Sequence, residues 1–389
     1  MSDDQPVIID ALRTPIGTTG QMFSHLTTTD LAAPVLKRLA ERLPQGLGTD
    51  AVILGNIRGP GGNPARLAGL AAGLGVEVPA LTLDDECGSG LAAVEQAWYR
   101  CLSRPGTVLA GGVQAASTQP VTLWPGTDDH PARRYDRAPF APAPWADPEM
   151  GPAADRVAAE RGIDRRRQDD YALRSHLRAV ATREAGGFAS EIVAIDGHAE
   201  DQRPRPGFTA RRLARFRPAF GPDGTATAAN SCGISDGAAA VAMVDSRTFS
   251  GLGRPGLRVL SVVSAGCDPD RPGLGMVPAA QAALAESGLN VDQLDAIEFN
   301  EAFAGQLLAC ADALGVREEQ ICPDGGAIAL GHPWAASGAI LVVRLFTRLV
   351  RRQGGRYGLA GISIGGGLGC AAVVEACHGP VLPNVGSRQ

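Results

Sequence analysis

No run of apolar residues in this 389-residue chain reaches the roughly 18 needed to cross a bilayer, which excludes a membrane-spanning helix. There is no C-x-x-C pair. The eight cysteines are scattered without the spacing of a disulfide framework, so a reducing cytoplasm is the expected setting. The opening Met1-Ser2-Asp3-Asp4 is acidic and has none of the basic and apolar regions of a secretory signal. Positive charge is not in excess either: 36 lysines and arginines face 41 aspartates and glutamates, and a net charge of −5 argues against nonspecific nucleic-acid binding. What the chain has in quantity is glycine, 50 residues, and proline, 28. They cluster at turns rather than in a low-complexity tract, as expected where backbone meets ligand. A hydrophobic content of 44% is that of a soluble globular protein, and the length allows two or three compact units.

The first third alternates strands and helices. Strands are expected at Val7 to Ala11, Ala51 to Leu54, Pro79 to Leu83 and Thr107 to Val113. Thr29-Asp30 is expected to cap an amphipathic helix carrying Leu31, Val35, Leu36, Leu39 and Leu43, and Asn63-Pro64 to open another. From about Thr118 to Thr227 the character changes to tryptophans, prolines and charge-rich helices, which marks an insertion. Within it, Arg203, Arg205, Arg211, Arg212, Arg215 and Arg217 form a basic segment, either a solvated face or a clamp for a phosphorylated ligand. The second half repeats the first: strands at Leu257 to Ser264 and Leu294 to Phe299, a helix from Glu301, a long helix opened by Gly325 to Pro333 and running to about Val350, and closing strands at Tyr357 to Ile364 and Cys370 to Ala376. Leu109-Ala110-Gly111-Gly112 and Leu359-Ala360-Gly361 each follow a helix that starts on small residues. A duplicated α/β unit of this kind buries its paired central helices and places a site between the halves.

Three polar residues stand at glycine-flanked turns or helix starts. Cys87, in Asp84-Asp85-Glu86-Cys87-Gly88-Ser89-Gly90, lies between a strand and a helix, where the helix N-terminus favours thiolate. His332 lies in Gly331-His332-Pro333, and Asn300 in Asn300-Glu301-Ala302-Phe303. Cysteine with histidine is the minimum for an activated thiolate nucleophile, and asparagine can orient a water or donate to an oxyanion. The other histidines, His25, His130, His176, His198 and His378, read as loop or surface residues.

Eight segments in order, from Val7 to Gly17 (VIIDALRTPIG) through Asn63-Pro64-Ala65-Arg66, Cys87-Gly88-Ser89-Gly90, Arg217-Pro218-Ala219-Phe220, Asp236-Gly237-Ala238-Ala239, Asn300-Glu301-Ala302-Phe303, Gly325 to Pro333 and Gly365-Gly366-Gly367, resemble the thiolase superfamily of acyl-CoA acyltransferases over nearly the whole chain. The resemblance implies a duplicated five-layer α-β-α-β-α fold with an inserted loop domain. Its N-terminal half would span 1–118 and be completed by about 228–247, the loop domain 119–227, and the C-terminal half 248–389. It also implies an acyl-enzyme on Cys87, one oxyanion hole from His332 with an Asn300-held water, and another from the N–H groups of Cys87 and Gly365. Coenzyme A would arrive as the substrate's thioester, with no tightly bound cofactor and no metal. Arg205 would lie near its nucleotide, with Met150, Phe220, Ala228, Ser231, Cys232, Ala302 and Phe303 along the pantetheine channel. A cytoplasmic homodimer or homotetramer is the expected assembly.

The departures bear on the chemistry. Ser363 stands where the family has a second catalytic cysteine, Cys232 where a serine contacts coenzyme A, Glu149 where a histidine precedes Met150, Asp324 where an asparagine precedes Gly325, Ala335 for a glycine and Gln114 for a glutamate. Cys370 and Cys377 read as packing residues. A serine is a poor base, so Claisen condensation is expected to be weak. The alternatives are acyl transfer to an amine, hydroxyl or thiol, decarboxylative condensation, or a non-catalytic acyl-CoA-binding subunit. Two other matches fail: Gly361-Ile362-Ser363-Ile364-Gly365 has no acid and histidine suitably placed downstream for a hydrolase elbow, and His198-Ala199-Glu200 lacks the P-C-x-x-C of a zinc deaminase.

Overall fold

The computed structural model describes residues 4–378. In chain order, β1 (Val7–Arg13) and β2 (Gly17–Thr18) lead to α1 (Thr28–Glu41), β3 (Ala51–Gly55), α2 (Pro64–Ala71), β4 (Ala80–Leu83), α3 (Ser89–Ser103) and β5 (Thr107–Gln114). A small hairpin of β6 (Thr122–Trp124) and β7 (Arg133–Tyr135) follows, then α4 (Met150–Glu160), α5 (Arg165–Glu184) and α6 (Ala210–Leu213). The chain returns to the sheet with β8 (Ser235–Val244), α7 (Ser246–Ser250) and β9 (Pro255–Gly266). It closes with α8 (Met276–Ser287), β10 (Ala296–Phe299), α9 (Ala304–Leu314), α10 (Ala327–Leu330), α11 (Trp334–Phe346), β11 (Tyr357–Ile364) and β12 (Leu368–His378).

The strand order β10-β11-β12-β9-β1-β8-β5-β3-β4 contains the same pattern twice. β3 pairs parallel with β5, β5 antiparallel with β8, and β8 antiparallel with β1. In the second half β10 pairs parallel with β11, β11 antiparallel with β12, and β12 antiparallel with β9. The two halves meet at a short seam, Val7 opposite Arg258 and Ile8 opposite Leu257. Where β4 lies parallel to β3, the second half has only a bridge between Ile297 and Ile321. The duplication read from the sequence is thus present in the hydrogen-bond pattern.

Small residues explain the central helix pair. A Cβ on Gly90 of α3 would lie 2.6 Å from the Ala335 carbonyl oxygen, and one on Gly338 of α11 2.6 Å from the Leu91 nitrogen. Only glycine allows these backbones to approach so closely. Every residue from Ala335 to Phe346 is buried, as a helix with sheet and helix neighbours on all sides requires. α1 starts earlier than the sequence suggests: Thr27 is the N-cap, with Asp30 completing a capping box, and Leu43 falls beyond the helix end. α9 starts at Ala304 rather than Glu301, and α11 passes into a π-helical turn, Thr347–Arg351, before Val350 is cleared.

A buried charge cluster ties the inserted segment to both halves. Glu191 accepts from Arg13 Nε at 2.8 Å, from Arg344 at 2.5 Å and from the Thr347 hydroxyl at 2.7 Å, while Arg13 also forms a two-pronged pair with Asp201. Burial pushes the Glu191 carboxyl upward, but Arg344 and then Arg13 outweigh it and hold the pKa at about 2, against an ordinary 4.5. Because the folded value lies below the unfolded one, the stabilisation is complete above about pH 4.5 and is lost as pH falls towards 2. Replacing Glu191 by Ala strands two buried guanidinium faces. The expected cost is about 3–5 kcal/mol, read as a lower denaturation midpoint at neutral pH, with the variant's deficit shrinking at acid pH. A deficit that stays constant down to pH 2 contradicts this account.

Candidate active site

The chain leaves β4 at Leu83 and turns sharply through Asp84 to Gly88 before α3 begins at Ser89. The turn is closed by Gly88 N–H to the Asp85 carbonyl at 2.9 Å and Ser89 N–H to the Glu86 carbonyl at 3.1 Å. Cys87 therefore sits just before the helix, as the sequence suggested. Its electrostatics differ from that expectation: burial and the adjacent Glu86 push the thiol pKa up, and Arg58 only partly offsets them. Desolvation outweighs the helix terminus, so the resting group is a thiol and needs a base to become a nucleophile.

His332 comes from the other half, between α10 and α11. Gly331 before it has φ +116°, and a Cβ there would lie 2.4 Å from the Ser235 hydroxyl, so the turn demands glycine. The His332 N–H donates to the Gly233 carbonyl at 2.9 Å, and its Nδ1 is 2.6 Å from the Ser337 hydroxyl. Burial lowers the imidazole pKa to about 4, so the ring is neutral at pH 7. Ser363, at the end of β11, and Gly365, in the following turn, complete the near wall.

These groups face one cavity of about 650 Å³. Cys87, His332, Ser363 and Gly365 line it, and so do Met150, Phe220, Ser231, Cys232, Ala302 and Phe303. The Ser231 hydroxyl is buried without a partner and is available to a ligand. Three expected site residues lie elsewhere. Ala228 is exposed and off the cavity wall, although Ala226, Thr227, Ala229 and Asn230 on either side of it are buried. Arg205 is also off the wall, its side chain exposed and its N–H donating to His176 Nδ1 at 3.3 Å. Asn300 stands behind the wall, at a second, water-sized pocket of about 20 Å³ that it shares with Ser337, Glu298 and Arg344; its Oδ1 is buried without a partner.

Of the basic segment, Arg205, Arg211, Arg212, Arg215 and Arg217 are exposed, while Arg203 is turned inward beside Cys232 and Gly233. His176, expected at the surface, is 2% exposed on α5, packed edge-on against Phe208. The His378 side chain and Met1 to Asp3 lie outside the described residues. Cys370 is fully buried and Cys377 nearly so, as expected of packing residues. Among the departures, Asp324 is paired with Arg344 and Arg352, and Glu149 with Arg137. Sequence reasoning missed Arg58, Arg137, Phe140, Gln306 and Trp334 on the cavity wall and gave Glu86 no role. Of these, only Glu86 carried a local signal, an acid beside the nucleophile.

The family models described as "Thiolase, N-terminal domain" and "Thiolase, C-terminal domain" match residues 6–247 and 254–376. The chain is 39% identical to acetyl-CoA acetyltransferase of Pseudomonas aeruginosa, covering 94% of this chain and 98% of that one. It is 40% identical to beta-ketoadipyl-CoA thiolase of the same organism, covering 95% and 98%. Its fold superimposes on the crystal structure of the Bacillus anthracis acetyl-CoA acetyltransferase with a TM-score of 0.90 at 33% identity, covering 96% and 99%. The chain belongs to the thiolase family and is an acyltransferase of thiolase type.

Proposed function

We propose that this protein transfers acyl groups from acyl-CoA thioesters by a two-step exchange through Cys87, forming or cleaving a carbon–carbon bond. The observation that carries this is the convergence of Cys87 from one half and His332 from the other on a single, largely apolar cavity. Neutral His332, with Nδ1 donating to Ser337, takes the Cys87 proton at Nε2. The thiolate attacks the thioester carbon, and the departing coenzyme A thiolate recovers the proton from the imidazolium. The N–H groups of Cys87 and Gly365 hold the oxyanion of this step. For the second thioester His332 acts in its other neutral tautomer, Nδ1 accepting from the Ser337 hydroxyl and Nε2 carrying the proton, and Nε2–H with an Asn300-held water holds the oxyanion. The pantetheine arm follows Met150, Phe220, Ala302 and Phe303, with Cys232 and Ser231 offering polar contacts.

The substrate is the only coenzyme involved, and the setting is cytoplasmic. A homo-oligomer is supported by β4, which ends the sheet, and by the exposed Leu67, Leu70 and Leu81 on it and on the neighbouring α2. Among the described residues no helix is long and apolar enough to cross a membrane. Incubation with acetyl-CoA should give one acetyl mass addition on the intact protein, with free coenzyme A released in equal amount. No adduct with any acyl-CoA of two to eight carbons, about the span such a cavity can hold, would refute the proposal.

Arg205 is assigned to the nucleotide end of coenzyme A, since it is exposed on the inserted segment outside the cavity. Arg205→Ala should raise KM for acyl-CoA by about 3–10-fold with kcat nearly unchanged, the mark of lost uniform binding. Acyl-pantetheine, which lacks the nucleotide, should not respond. Equal responses of both substrates would make the arginine part of a solvated face.

A further inference from the structure

Ser363 stands where the resemblance leads one to expect a second thiol, but its hydroxyl is fully engaged. It donates to the Gly273 carbonyl at 2.7 Å and accepts from the Met276 N–H at 3.1 Å and from Gln306 Nε2 at 3.4 Å. A hydroxyl whose proton is held by a carbonyl and whose lone pairs are met by two N–H groups cannot take a proton from carbon. Carbon–carbon bond formation without decarboxylation still requires that proton to be removed.

The cavity wall offers few other candidates. Cys87 carries the acyl group, and His332 is taken up as the Nε2–H donor to the oxyanion of the second thioester. Glu149 is paired with Arg137, and its side chain is 72% exposed. The Cys232 thiol is pushed up to about 12 by burial. Arg58 and Arg137 carry guanidinium groups, which donate and offer no acceptor for a proton. Glu86 is left. Its side chain lines the cavity, and among the described residues its carboxylate makes no hydrogen bond or ion pair. Its backbone is held at φ +45°, a left-handed conformation unfavourable for glutamate, of the kind that persists where a site requires it.

We infer that Glu86 is the general base that removes the α-proton of the second thioester in condensation and returns it in cleavage. This rests on the acyl-enzyme reading above. The Glu86 carboxylate takes the proton from Cα, and the Cα electron pair attacks the acyl carbonyl carbon on Cys87. The bond from that carbon to the Cys87 sulfur then breaks, and the departing thiolate takes the proton from Glu86, restoring both residues. Burial and then Asp84 raise the Glu86 pKa, with a smaller contribution from Asp85, while Arg58 and Arg137 oppose them. A carboxylate raised towards neutrality is a better base for this task than an ordinary one.

The test is exchange of the acetyl-CoA methyl hydrogens with deuterium oxide, read by mass spectrometry beside Cys87 acylation and acetoacetyl-CoA synthesis. Glu86→Gln should slow exchange and synthesis by about 10²–10⁴-fold while acylation stays within about threefold of the parent. Glu86→Asp should retain part of the exchange. In the double variant with Ser363→Cys, exchange should rise at least about tenfold over Glu86→Gln, because a thiol restores a titratable base. Exchange in Glu86→Gln equal to the parent's, exchange absent in the parent, no rise in the double variant, or loss of acylation together with exchange would each overturn the inference. Absence of any adduct in the parent would instead overturn the acyl-enzyme reading itself.

Discussion

Cys87→Ala should leave no covalent adduct and lower turnover by about 10⁴-fold or more, because a missing nucleophile is not replaced by a neighbour. The neighbours make this a demanding test. Seven other cysteines are free, and Cys232 lines the same cavity. Cys232 is nevertheless poorly placed to substitute: burial pushes its thiol up to about 12, and its own N–H is committed to the Ala302 carbonyl at 2.9 Å. Cys101, Cys310, Cys322, Cys370 and Cys377 are buried in the packing and off the cavity wall. Cys267 borders a separate depression beside Phe140 and Trp145. Peptide mapping should therefore find the acyl group on Cys87 in the parent and nowhere in the variant. An adduct that survives on Cys232 would reassign the nucleophile.

His332→Ala should slow Cys87 acylation by about 10²–10⁴-fold, since the buried thiol then has no neutral acceptor for its proton. The size follows from the opposed shifts of the two groups. The thiol lies far above neutrality, while burial holds His332 at about 4, so neither is charged at rest and the proton moves only as substrate arrives. His332→Asn separates the two roles given to this ring. An amide can donate to an oxyanion but cannot accept the thiol proton, so acylation should stay slow. Condensation from an enzyme already acylated chemically should recover at least about tenfold over the alanine variant. Equal defects in both half-reactions of the asparagine variant would leave His332 with a single role. Because Nδ1 is fixed by Ser337, Ser337→Ala should reproduce a milder form of the same defect.

The departures at 363 and 86 belong together in physical terms. A serine that accepts from Met276 and Gln306 and donates to Gly273 stabilises the junction of β11 with the start of α8, so the position has become structural. The inferred base, Glu86, lines the same cavity as Ser363, Arg58 and Arg137.

Part of the cavity wall was legible in the chain itself. Cys87, His332, Ser363 and Gly365 were legible because each lies at a turn whose glycines and flanking strand or helix are set by neighbours within a few residues. The repeat was legible through Leu109-Ala110-Gly111-Gly112 and Leu359-Ala360-Gly361, each following a helix that starts on small residues. β8 is a strand that local composition does not announce: β1 and β5 hydrogen-bond its two edges while α1 and α11 pack on it. The burial of His176, the exposure of Ala228 and the inward turn of Arg203 depend on how the inserted segment docks, which local composition does not encode. The same holds for the protonation states. A helix start is visible in the sequence and suggests a thiolate. Desolvation of Cys87 and the engagement of the Ser363 hydroxyl arise only when segments far apart in the chain close one cavity, and they decide which groups can carry a proton.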